Sequence, residues 1–136
     1  MIDLELARQR FVELLQDQPA TLYATTTESL ISPPAIIVGQ PTVTFSTLST
    51  GYGRLDTSSF PIMVLVRRPG SNDPHQQHEL EELWPSVAET LAVALIDDQT
   101  LGGLCKAGSV IRADFSFYVV QGKQYPTQTI TVELYG

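Results

Sequence analysis

His75 and His78 stand three residues apart, with Asp73 and Glu79 beside them. Convergent imidazoles and carboxylates are what a divalent metal needs. The chain has only two histidines and one cysteine, Cys105, so no further His or suitably spaced Cys completes such a site. Histidines at the mouth of a polar stretch usually face solvent. Cys105 has the right chemistry for a nucleophile, but a nucleophilic thiol needs a base held against it. No paired motif points to one, so a small half-buried thiol is the plainer reading. Gly51 and Gly53, and the pair Gly102-Gly103, lack the strand–glycine–helix order of a phosphate loop. Gly51 lies between two strand-like runs. Gly102-Gly103 follow a helix, whereas the anion-binding amides lie at a helix entrance. The chain contains no G-x-S-x-G, H-E-x-x-H or C-x-x-C. These residues predict neither an enzyme nor a cofactor. A small enzyme or ligand-binding domain using His75, His78 or Cys105 stays as the competing class.

Charge narrows the partners. Fifteen Asp and Glu against eight Lys and Arg give a net charge of −7. Binding to a phosphate backbone calls for Lys/Arg-rich surface. Arg67-Arg68 is too small a patch to reverse the acidic balance. With 136 residues and 43% hydrophobic content, the chain can bury one core, which predicts a single domain over 1–136. No apolar run approaches the roughly 20 residues that span a bilayer. The start, MIDLELARQRF, lacks the basic-then-apolar order of a signal peptide. The expectation is a soluble protein made inside the cell, with no membrane partner.

The elements follow from periodicity. Asp3 can cap a first helix whose Leu4, Ala7, Phe11, Leu14 and Leu15 form one apolar stripe, ended by Gln18-Pro19. A short strand over 22–25 is weakly indicated. SPPAIIVGQP reads as an extended apolar step bounded by Gly39 and Pro41. Residues 42–48 alternate, with Val43 and Phe45 on one face. Residues 62–66 form a continuous apolar run, which predicts a central strand covered on both faces. Leu80, Leu83, Trp84, Val87, Leu91 and Leu95 keep helical spacing through Pro85, so one helix kinked at Pro85 is expected. Val110, Ala113, Phe115, Phe117 and Val119 alternate in a strand over 110–120 whose pattern slips once near Ile111. Gln121-Gly122-Lys123 turns the chain, and Ile130, Val132 and Leu134 alternate in a last strand pairing back. The predicted fold is α+β: a mainly antiparallel sheet of about four strands with two helices packed on it. Within it, Gly102 or Gly103 takes the left-handed φ that ends the second helix, and Leu101 and Leu104 pin that turn to the core.

Two polar loops remain, over 49–59 and 68–78. Loops of such length are often functional. A compact acidic domain without a chemical site reads as a building block whose loops contact other copies or partners. Tyr52 and Arg54 in the first loop, and Arg67 or Arg68 at the second, are the expected anchors, because Tyr and Arg dominate interface hot spots.

The order of these segments resembles the tail terminator proteins of long, non-contractile-tailed bacteriophages, in the version common among actinobacterial phages. The resemblance rests on the amphipathic first helix, PPAIIVGQPTVTF, FPIMVLVRR after the long loop, the helix over 80–95, TLGGL at 100–104, and the final hairpin with Tyr125 near its turn. It covers nearly the whole chain; HQQHELEELWP, with its helical proline, departs from it. The resemblance implies a small α+β structural protein of the virion's tail–neck junction, assembled in the host cytoplasm. Six copies would form a ring on the finished tail tube, stop polymerisation of the major tail tube protein, and dock the head–tail connector or stopper protein. DNA would pass through the hole without specific binding. No catalysis and no cofactor are implied. Another neck component, a connector adaptor or tail-completion protein, is the near alternative.

Overall fold

The computed structural model describes residues 2–24, 34–45, 56–65 and 74–136. Among them the chain runs α1 (Leu4–Leu15), β1 (Thr21–Tyr23), β2 (Ala35–Val38), β3 (Thr42–Thr44), β4 (Thr57–Leu65), α2 (Pro74–Asp97), β5 (Ala107–Val120) and β6 (Lys123–Tyr135). The class is α+β. The sheet has six strands rather than about four, ordered β1-β2-β4-β6-β5, with β3 also on β4. The miscount has a physical cause. β2 and β3 lie along the same edge of β4, opposite residues 62–65 and 57–59 respectively. The extended step bounded by Gly39 and Pro41 is thus itself a strand, separate from β3. β1 is three residues long and pairs parallel to β2, too short to show a period of its own.

The first helix forms as its sequence dictates. Asp3 sits in extended backbone and its Oδ1 accepts from the Leu6 amide at 3.1 Å, satisfying one orphan donor of the first turn. Ala7, Phe11 and Leu15 are buried. Phe11 meets Phe60 of β4 edge-to-face, with centroids 5.1 Å apart. α2 is one helix that contains Pro85, and its Leu80, Val87, Leu91 and Leu95 are buried. Gln18, just past α1, ties the two helices together. Its Nε2 donates to Thr90 Oγ1 at 3.0 Å, and Ser86 Oγ donates to its Oε1 at 3.2 Å.

Both helices cover one face of the sheet, where Phe60, Ile62 and Val64 of β4 stand beside Ile130, Val132 and Leu134 of β6. A second, smaller cluster lies on the other face: Ala35, Ile37, Leu65, Val120 and Tyr125. The two-sided burial expected for residues 62–66 therefore belongs to β2, all four of whose residues are buried. β4 instead alternates from Thr57 to Val64. The loop expected over 49–59 is also shorter at its end, since residues 57–59 already lie in β4. Likewise α2 begins at Pro74, inside the expected second loop. Proline at a first helical position loses no intrahelical bond.

β5 and β6 form the longest pairing. The slip near Ile111 is a register shift between Val110 and Arg112, the extra residue of a bulge. The hairpin closes at Gln121 and Gly122, with φ of 51° and 76°. Positive φ at both central positions is the type I′ signature that suits a two-residue hairpin.

Candidate functional site

Tyr52, Arg54, Arg67 and Arg68 lie outside the described residues. His75 and His78 fall in the opening turns of α2, not in a loop. Among the described residues no group of three His, Cys, Asp or Glu is placed to hold a metal ion.

Cys105 is buried, and its Sγ lies 3.6 Å from the Gln99 carbonyl. Burial pushes its thiol pKa up, and the charge of Asp98 pushes it further the same way. A nucleophilic thiol needs the opposite environment, one that favours thiolate. This geometry makes Cys105 a packing residue.

The neighbouring turn is organised by a residue that sequence reading passed over. Asp98 Oδ1 accepts from the Thr100 hydroxyl at 2.8 Å and from its amide at 3.2 Å, while Oδ2 accepts from the Gly102 amide at 2.7 Å. The Thr100 hydroxyl bond, then the Gly102 amide, hold the Asp98 carboxyl below its ordinary pKa, with Arg10 adding a smaller pull. Leu101, Gly102 and Gly103 all have positive φ, at 49°, 75° and 88°. The turn is thus the helix exit expected of TLGGL, with Leu101 buried and Leu104 packed on the core. Arg10, Glu13 and Leu14 of α1 face it across an open groove.

On the sheet face away from the helices, Glu133 accepts from Tyr135 Oη at 2.8 Å and from Ser59 Oγ at 3.4 Å. The Glu133 bond comes first among the causes that raise the Tyr135 phenol pKa. A phenol held in its protonated form by a carboxylate is a hydrogen-bonded strut rather than a proton donor in waiting.

Among the described residues, a cluster of exposed apolar side chains lies on the β5–β6 hairpin. β6 pairs with β4 as far as Thr127 opposite Leu65, and then continues with β5 alone, from Phe117 opposite Pro126 to Val120 opposite Lys123. Residues 117–126 therefore form an arm beyond the described part of β4. One face of the arm is anchored, because Val120 and Tyr125 are buried in the second cluster. The other continues the helix-side face of Val110 and Ala113, and here Phe115, Phe117 and Val119 are 56%, 55% and 58% exposed. The two phenyl rings pack edge-to-face at 5.3 Å. The alternation of these residues was visible in the sequence, but nothing in it told that the outer half of the face lies open. A second apolar spot lies on α2, where Val93 and Ile96 are 47% and 75% exposed.

Compared with known families and curated proteins, the chain matches no family model and no curated sequence. Among the described residues no helix is long and apolar enough to cross a membrane.

Proposed function

We propose that the chain is a structural virion protein that forms a ring on the phage tail tube, stops its polymerisation, and offers a docking surface to the head–tail connector. The observation that carries this reading is the β5–β6 arm. Phe115, Phe117 and Val119 present an apolar face to water, and contiguous exposed apolar surface on a small domain marks a contact site. The segment order in the sequence supplies the kind of assembly. Tyr52, Arg54, Arg67 and Arg68, expected from the sequence as anchors, are proposed as further contacts with neighbours, the tube protein or the connector.

The charge supports a pore for DNA. Six copies at −7 each carry −42 in all, and like charge disfavours adsorption of phosphate along the hole. The test is electron microscopy of the purified chain together with its mass in solution. The expected result is a ring with a central hole and a mass near six times 14.9 kDa. A monomer at every concentration, or a closed globular assembly without a hole, would overturn the reading.

A further inference from the structure

We propose that the β5–β6 arm of one copy docks on the outer face of α2 of a second copy, head to tail. The proposal rests on the ring reading for the closure of these contacts, but the contact itself needs only two chains.

A heterologous interface needs two different, mutually complementary patches on each subunit. The arm supplies one in Phe115, Phe117 and Val119, spaced two apart on one strand face. The four steps of strand from Phe115 to Val119 span about 14 Å. The other is a strip on α2 in which Val93 and Ile96, one turn apart, lie between the exposed carboxylates Glu89 and Asp97. The eight steps of helix from Glu89 to Asp97 rise about 12 Å, so the strip with its flanking carboxylates is about as long as the arm face, and its apolar centre from Val93 to Ile96 takes up about 4.5 Å of that length.

Charge selects the pairing. α2 carries Glu81, Glu82, Glu89 and Asp97 after its first turns and no Lys or Arg anywhere along it. Most of a chain with net charge −7 is repelled by such a surface. Residues 115–126 contain no acid, and their single charge is Lys123 at the arm's tip. The arm is thus an acid-free stretch able to approach the acidic helix of another copy, and the apolar pairs then exclude water.

Area fits a ring better than a free dimer. A phenylalanine offers 150–250 Å², so each half-exposed ring leaves on the order of 100 Å² in water. The arm face totals a few hundred Å², short of the roughly 800 Å² per partner of a stable pairwise interface. A subunit that gives its arm to one neighbour and its helix to the other doubles its contact area, and closure of the ring adds avidity. Edge-to-edge pairing of two β5 strands is disfavoured along the lower half of the strand. The bulge after Val110 and the Arg112–Asp114 ion pair at 3.0 Å guard it.

The test uses light scattering on two variants of the full chain. One is the arm variant Phe115→Ser with Phe117→Ser; the other is the helix variant Val93→Glu with Ile96→Glu. All four positions are at least 47% exposed, and unchanged far-UV circular dichroism checks the fold. Each variant alone is expected to be a monomer. Because one contact is smaller than a stable pairwise interface, an equimolar mixture is expected to associate one-to-one only as its concentration is raised and to grow no further, joining the intact arm of one variant to the intact helix of the other. Rings that persist in either variant would overturn the docking and leave the ring reading standing. A helix variant that still dimerises through its arms, a mixture that shows no association even at millimolar concentration, or a monomeric unmodified chain would overturn it as well. As a second measurement that does not rely on disruption, Phe117→Cys with Ile96→Cys in a Cys105→Ser background is expected to give a ladder of disulfide-linked oligomers on mild oxidation. Single cysteines giving the same ladder would contradict the assignment.

Discussion

Gly39 and Pro61 approach so closely that neither position tolerates a change in shape. The Gly39 amide donates to the Pro61 carbonyl at 2.8 Å, and a Cβ on Gly39 would stand 2.7 Å from Pro61 Cγ and 3.0 Å from the Pro61 carbonyl oxygen. The contact also accounts for a proline inside a central strand, where a missing amide normally leaves the ladder short. In a strand a residue's N–H and C=O point the same way. The missing amide of Pro61 therefore faces the break between β2 and β3, where the partner ladder is already interrupted. Gly39→Ala is expected to cost about 1–3 kcal/mol, the range for overpacking against a stiff neighbour. Urea denaturation measures it, and a change within a few tenths would show that the strands separate easily here.

Much of this fold was legible because local rules and tertiary packing agree. The Asp3 cap, the type I′ turn after Val120, and the slip at Ile111 each carry their own chemical signal. The break between β2 and β3 was legible at Gly39 and Pro41, but nothing local tells that both pieces lie along one edge of β4. β1 was legible only as the weak indication over 22–25, because three residues pairing parallel across a distant segment leave no periodic trace. The open arm was hidden for a different reason. Periodicity ranks Phe115, Phe117 and Val119 with Val110 and Ala113, but coverage depends on where α2 ends over the sheet, which only the tertiary structure fixes. Asp98 escaped notice because its partners, Thr100 and Gly102, are backbone and hydroxyl groups that no spacing rule pairs with it.

Leu91 is fully buried under the helix-side face of the sheet. Leu91→Ala removes its side chain from a packed core and leaves a cavity, at an expected cost of about 2–5 kcal/mol. Chemical denaturation gives the value. A change near zero would mean that the core around α2 collapses to fill the space.

Asp98 ties stability to pH. Its carboxyl is acidified by the Thr100 and Gly102 bonds. A group whose folded pKa is depressed contributes stability that is complete above its ordinary value, about 3.9 for Asp, and lost as pH falls through the lower folded value. Asp98→Asn is expected to lower the Tm at neutral pH, with the gap to the unmodified protein narrowing below about pH 4. A gap that stays constant or widens in acid would show that the turn does not depend on the charge.

Cys105→Ser and His78→Ala are each expected to leave assembly intact. Cys105 lies in an environment that disfavours thiolate, and no further His or suitably spaced Cys in the sequence joins the two histidines. Ring formation seen by microscopy checks both. Loss of rings from either variant with the fold preserved would reveal a chemical role for that residue.

The central claim is that this chain ends the growth of a tail tube. Tail length in particles assembled after deletion of its gene, measured by electron microscopy, tests that claim most directly. The expected result is overlong tubes unattached to filled heads, restored to uniform length when the chain is supplied in trans. Tails of normal length joined to heads in its absence would contradict it.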